Sequence, residues 1–89
     1  MGSTPTTLNV GCGKVKIPDS VGVDFDPESC ADIIHDLDIF PWPLPDQTYD
    51  RIVCWHVIEH LRNPRRAMME MVRVARPGAG LFLFTFSRH

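Results

Sequence analysis

The sequence predicts an α/β domain built on a parallel sheet, and three observations carry that expectation. An apolar run, Leu8-Asn9-Val10, leads straight into Gly11-Cys12-Gly13. A second, Val21-Gly22-Val23, ends in an acid, Asp24. A helix-period segment then stands between the two longest apolar strand candidates, Tyr49–Trp55 and Leu81–Phe86. Strands joined by crossovers rather than tight hairpins run parallel.

Each element follows from local chemistry. Residues 1–6 are polar and read as a disordered tail; residues 7–89 form one domain. Thr7–Val10 is the first strand, stopped by the Gly-x-Gly turn. Val21–Asp24 is the second, closed by Pro27. Asp32–Asp36 is the third, on the strength of the adjacent β-branched pair Ile33-Ile34. Pro41-Trp42-Pro43-Leu44-Pro45 lacks alternate amide donors and so reads as a rigid extended loop, with Trp42 assigned to loop packing. Tyr49–Trp55 is the fourth strand. Glu59 and His60 begin a short helix. Asn63-Pro64 joins a capping residue to a proline at the first helical position, and Met68, Met71, Val72 and Ala75 recur at i, i+3, i+4 and i+7 as one apolar stripe. Pro77-Gly78 ends that helix, and Leu81–Phe86 is the fifth strand. Gly13 to Ser20 is too short for a full crossover helix, which needs about 10–12 residues. One sheet face is therefore expected to be thinly covered.

Composition narrows the function classes. The 89 residues are 44% hydrophobic and 22% charged, as in an ordinary globular domain. A formal net charge of −2 makes no electrostatic case for nucleic acid or an anionic membrane surface. No apolar run approaches the ~20 residues of a membrane-spanning helix, and the N-terminus lacks a basic-then-apolar leader. Three cysteines, an odd number without close pairing, suggest a reducing, cytoplasmic compartment.

The glycine turn and Asp24 have the layout of a nucleotide-type cofactor site at the carboxyl ends of two parallel strands. Glycine lets the backbone approach a ligand that a side chain would push away, and the acid can accept from both hydroxyls of a ribose. A nicotinamide cofactor fits poorly. The third glycine of its fingerprint is missing, and Asp24 comes much sooner than the ~20 residues expected there. Cys12 and Cys54 read as small core hydrophobes rather than nucleophiles. His56-Val57-Ile58-Glu59-His60 spells the inverted zinc-protease motif, but His56 falls at a strand end and no third ligand is evident. No metal site is expected.

With LNVGCG (8–13), VGVDFDP (21–27), ADIIHDLDIFPWPLPDQTYDRIVCWHVIEHL (31–61) and EMVRVARPGAGLFLFT (70–85) in this order, the chain resembles the core of a class I S-adenosylmethionine-dependent methyltransferase of the type 11 group. The resemblance implies a Rossmann-like parallel sheet of strand order 3-2-1-4-5, here truncated after the fifth strand and with few covering helices. It implies S-adenosylmethionine as cofactor. Gly11, Cys12 and Gly13 would pass beneath its methionine part, with backbone amides free for the carboxylate. Asp24 would hold the ribose, with Asp26 as second choice and Phe25 beside it. Asp36 and the Leu37 amide would meet the adenine. Trp55 and His56 would line the crevice near the reacting methyl group, His56 being the one candidate general base. No acceptor site is evident in the sequence, so turnover of free small molecules by this chain alone is expected to be weak. The rival reading is a non-catalytic methyltransferase-like interaction module or partner subunit. The apolar fifth strand and the bare sheet face predict a homodimer or hetero-complex.

Overall fold

A computed structural model describes residues 6–55 and 57–84. Five parallel strands form one sheet: β1 (Thr7–Val10), β2 (Ser20–Asp24), β3 (Ile33–Ile34), β4 (Tyr49–Trp55) and β5 (Ala75–Phe84), in the spatial order β3-β2-β1-β4-β5. One helix, α1 (Pro64–Val74), and a single 3₁₀ turn, Ile58–His60, complete the regular structure of the described residues. The expected sheet and strand order are both present, with β1 at the centre, paired to β2 on one side and β4 on the other.

Strand alternation places the core. Leu8 and Val10 of β1, Val23 of β2, and Ile52 and Cys54 of β4 point to one face, where they meet Ala67, Met71 and Val74 of α1. Asn9 and Val53 point to the other face. There the Asn9 side chain accepts from the Ile17 amide at 3.0 Å, which ties the Gly11–Asp19 segment across β1 in place of a helix. That segment buries Asn9 and Val53 without a helix, as the short crossover requires, while Phe82 further along the same face is 46% exposed.

Four expectations need correction. Regular pairing of β3 covers Ile33–Ile34 alone, not Asp32–Asp36. The Asp32 carboxylate folds back to accept from the Gly22 amide and from Lys16 Nζ, both at 2.8 Å. Asp36 has already entered a turn closed by the Ile39 amide. Second, β5 begins at Ala75 instead of Leu81, directly at the end of α1. Ala75 pairs with Tyr49, and the register slips before Arg51 meets Gly80, so Pro77-Gly78 sits in an irregularity of β5 and not at a helix terminus. The expected strand residues Thr85 and Phe86 lie outside the described residues.

Third, the buried stripe of α1 is Ala67, Met71 and Val74, whereas Met68 and Val72 are 39% and 66% exposed. Glu70 and Arg73 turn the helix. Glu70 Oε1 accepts from the Trp42 amide at 2.7 Å, and Arg73 donates to the carbonyls of Leu44 and Trp42, to Glu70, and to Asp46. Two charged residues thus face the proline-rich loop because that loop supplies their partners. Fourth, Trp42 belongs to the core. It is 2% exposed, and its indole N–H donates to the Leu37 carbonyl at 3.0 Å.

Candidate cofactor cavity

β1 and β2 end side by side, and the backbone beyond them is closely constrained. Gly11 takes φ +69° and donates to the Val23 carbonyl at 2.7 Å. A Cβ on Gly11 would stand 2.0 Å from a Val57 methyl, so glycine is required there by both conformation and packing. Gly13, at φ +61°, donates to Asp24 Oδ2 at 2.8 Å, and the Asp26 amide donates to Asp24 Oδ1 at 3.0 Å. The expectation that both glycine amides stand free is therefore corrected: one continues the β1–β2 ladder and the other anchors Asp24. Each Asp24 oxygen accepts one backbone N–H and keeps a second lone pair.

Beside this turn opens a cavity of about 830 Å³ at the carboxyl ends of the strands. Gly11, Asp24, Phe25, Asp36 and Leu37 line one part of it. Asp24 is buried, while Phe25 is 71% exposed and presents a bare ring face at the edge. Asp36 Oδ1 accepts from the Asp38 amide at 2.9 Å, which fixes the carboxylate in the turn after β3. The Leu37 side chain is core.

The remaining candidate residues fall elsewhere. Cys12 points under β2, its Sγ 2.9 Å from where a Gly22 Cβ would stand. Burial, and then the charge of Asp24, push its thiol pKa up, as suits a packed thiol rather than a nucleophile. Cys54 is likewise buried. Trp55 is half-exposed at the end of β4 and is not part of the cavity wall. His56, the candidate base, lies outside the described residues. Among the described residues, no group of three or more His, Cys, Asp or Glu side chains is arranged to hold a metal ion.

Sequence reasoning missed the opposite wall. It comes from Asp38, Ile39 and Phe40 after β3, and from Val57, His60, Leu61, Arg62, Asn63 and Arg66 around the start of α1. Asp38 ties the two segments together: Oδ1 accepts from the Arg62 and Asn63 amides at 3.0 and 3.2 Å. The Asn63 side chain then caps α1 by accepting from the Arg66 amide. Arg66 lies over the Phe40 ring, 4.9 Å from its centroid, and Phe40 stacks on Trp42. The Asn63-Pro64 helix start was visible as a local signal; the contact between Asp38 and Arg62, 24 residues apart, has none.

The chain is similar to known proteins in sequence and in fold. A family model described as a methyltransferase domain matches residues 8–84. The chain is 34% identical over 92 residues to a probable S-adenosylmethionine-dependent methyltransferase of Mycolicibacterium smegmatis, covering 85% of this chain and 35% of that protein. It is 38% identical over 48 residues to ajmaline N-methyltransferase of Rauvolfia serpentina, covering 54% of this chain and 16% of that enzyme. A solved structure with the same fold (TM-score 0.72, 19% identity) is a chain of the complex between the Haloferax volcanii Trm112 methyltransferase activator and a methyltransferase, with 89% of this chain and 43% of that chain aligned. The chain thus spans about a third or less of the length of these two curated relatives.

Proposed function

This chain belongs to the methyltransferase domain family of S-adenosylmethionine-dependent enzymes, and on that footing we propose that it binds S-adenosylmethionine in the cavity at the ends of β1, β2 and β3 for transfer of its methyl group. The observation that carries the reading is Asp24. Its carboxylate is buried, is oriented by the Gly13 and Asp26 amides, and opens on the cavity with Asp36 in the turn after β3.

The donor set fits the group. Asp24 has the free lone pairs to accept from a ribose diol, Asp36 can accept from an exocyclic amine, and Phe25 offers an exposed ring to a base edge. The cofactor supplies a sulfonium-activated methyl group, which bonds to an acceptor lone pair while the S–C electron pair returns to sulfur. The chain's own part is to hold and orient. Two carboxylates on this wall also favour a cationic ligand. His56, next to Trp55 at the end of β4, is the residue we assign to proton removal where an acceptor must lose one.

Calorimetry with S-adenosylmethionine, S-adenosylhomocysteine and NAD tests the reading. The first two are expected to bind and NAD is not; NAD binding equally well would overturn it.

A second reading concerns assembly. The related fold found in complex with an activator protein supports a hetero-complex for this chain, with or without catalysis. A homodimer is the other form of the same proposal. Both would use β5, the longer of the two sheet edges among the described residues, or the sheet face opposite α1.

A further inference from the structure

The cavity is divided by charge. Asp24 and Asp36 belong to the end of β2 and the turn after β3, and Arg62 and Arg66 to the start of α1, across the same space. Among the described residues, no carboxylate pairs with the guanidinium of either arginine. Asp38, the acid that reaches this segment, accepts from the Arg62 and Asn63 backbone amides instead. The Arg66 guanidinium lies over the Phe40 ring, and its charge also acts on Glu70 one turn further along α1.

The local electrostatics are unfavourable as they stand. The first turn of α1 has no acidic residue, and Arg65 and Arg66 lie at the positive end of the helix dipole. Arg66 is partly compensated by the Phe40 ring and by Glu70 one turn further along α1, whereas Arg62 has no carboxylate partner among the described residues, so the pair keeps positive charge that a bound anion would balance. The proposed cofactor carries a carboxylate of its own beside its sulfonium and ammonium groups, so cofactor and acceptor are the two sources of an anion for the arginines.

We infer that Arg62 and Arg66 bind an oxyanion, a carboxylate or phosphate group, on the methyl acceptor, so that the acceptor is a small anionic organic molecule. This rests on the cofactor reading above. A guanidinium pair matches the geometry of such groups. The size of the cavity suits a small molecule.

The test is a titration of the whole chain with four probes of similar size: benzoate, phenyl phosphate, benzylamine and benzyl alcohol. Each is run with and without S-adenosylhomocysteine, whose own binding is measured separately. Benzoate and phenyl phosphate are expected to bind while S-adenosylhomocysteine is bound, and their relative affinity identifies the preferred oxyanion. Arg62→Ala is expected to weaken both by about tenfold, and Arg62→Ala/Arg66→Ala further. Arg62 is exposed and leaves the Arg66–Phe40 contact in place when replaced, so the single variant remains informative if loss of that contact unfolds the double variant. Failure of both anions to bind, undiminished binding by the variants, or equal binding of benzylamine would overturn the inference. So would mutual exclusion of benzoate and S-adenosylhomocysteine, which would place the cofactor's own carboxylate on the arginines. If S-adenosylhomocysteine alone fails to bind, the cofactor reading fails. Arginine-dependent anion binding in that case would leave an oxyanion site but overturn the acceptor assignment.

Discussion

Asp24 shows how one side chain can be both structural and available to a ligand. Its two oxygens hold the amides of Gly13 and Asp26, which join the glycine turn to the segment after β2. Asp24→Ala is therefore expected to weaken S-adenosylhomocysteine binding by about 1–3 kcal/mol, the usual range for hydrogen bonds to a charged group, as read by calorimetry. Asp24→Asn keeps the shape but turns one acceptor into a donor, which must then face either the Gly13 or the Asp26 amide. Retained affinity in both variants would remove Asp24 from the site. Gly11 makes a sharper case. A Cβ there would meet Val57 at 2.0 Å on a backbone with positive φ, so Gly11→Ala is expected to lower stability by about 1–3 kcal/mol, measured by denaturant unfolding. Asp24 and Gly11 were legible in the sequence because each sits at a strand end, where alternation stops and a turn begins. Arg62, Arg66 and Asp38 were not. They reach the cavity through contacts between segments more than 20 residues apart, which leave no periodic or local trace.

At the scale of elements, the sequence was clearest where a local rule acts alone. β1, β4 and the Asn63-Pro64 start of α1 stand where alternation and capping put them. The face of α1 was misread because hydrophobic counting treats Glu70 and Arg73 as solvent-facing. Both instead hold the Pro41–Pro45 loop, in bonds that no single-helix pattern encodes. Glu70→Gln is expected to lower unfolding free energy by about 1–3 kcal/mol, since it weakens the contact with Arg73 at a half-buried site. The pH dependence has a definite sign. The bond from Arg73 holds the Glu70 carboxyl below its ordinary value of 4.5, against burial, which opposes it, and with help from the Trp42 amide. The folded state thus binds fewer protons than the unfolded one. The contribution is complete above the unfolded value and is lost as pH falls through the lower folded value. Urea melts of wild type and Glu70→Gln should differ at neutral pH and converge in acid; a gap independent of pH would contradict the assignment.

For the whole molecule, the decisive feature is the asymmetry of the sheet's two edges. β3 offers two residues, whereas β5 runs from Ala75 to Phe84 and is paired only with β4 among the described residues. Its register with β4 sets which side chains are available. Leu83 aligns with Cys54 and packs on the core, while Phe82 aligns with Val53 on the face opposite α1 and is 46% exposed. Unpaired backbone groups along a strand of this length, beside an exposed aromatic ring, are a template for another chain. Association through this edge is the expected outcome, with two-fold pairing if the partner is a second copy. Sedimentation over a wide concentration range checks it. A chain that stays monomeric at high micromolar concentration would rule out self-association. The choice of variant matters, because a charge at Leu83 would disturb the core as well as the edge. Phe82→Lys places the charge on a ring that is 46% exposed and packs over Gly80, so it should dissociate the assembly and lower the thermal transition of the monomer less than Leu83→Lys does. Leu83→Lys should lower that transition whether or not an assembly forms, and the contrast between the two assigns any dissociation to the edge rather than to unfolding.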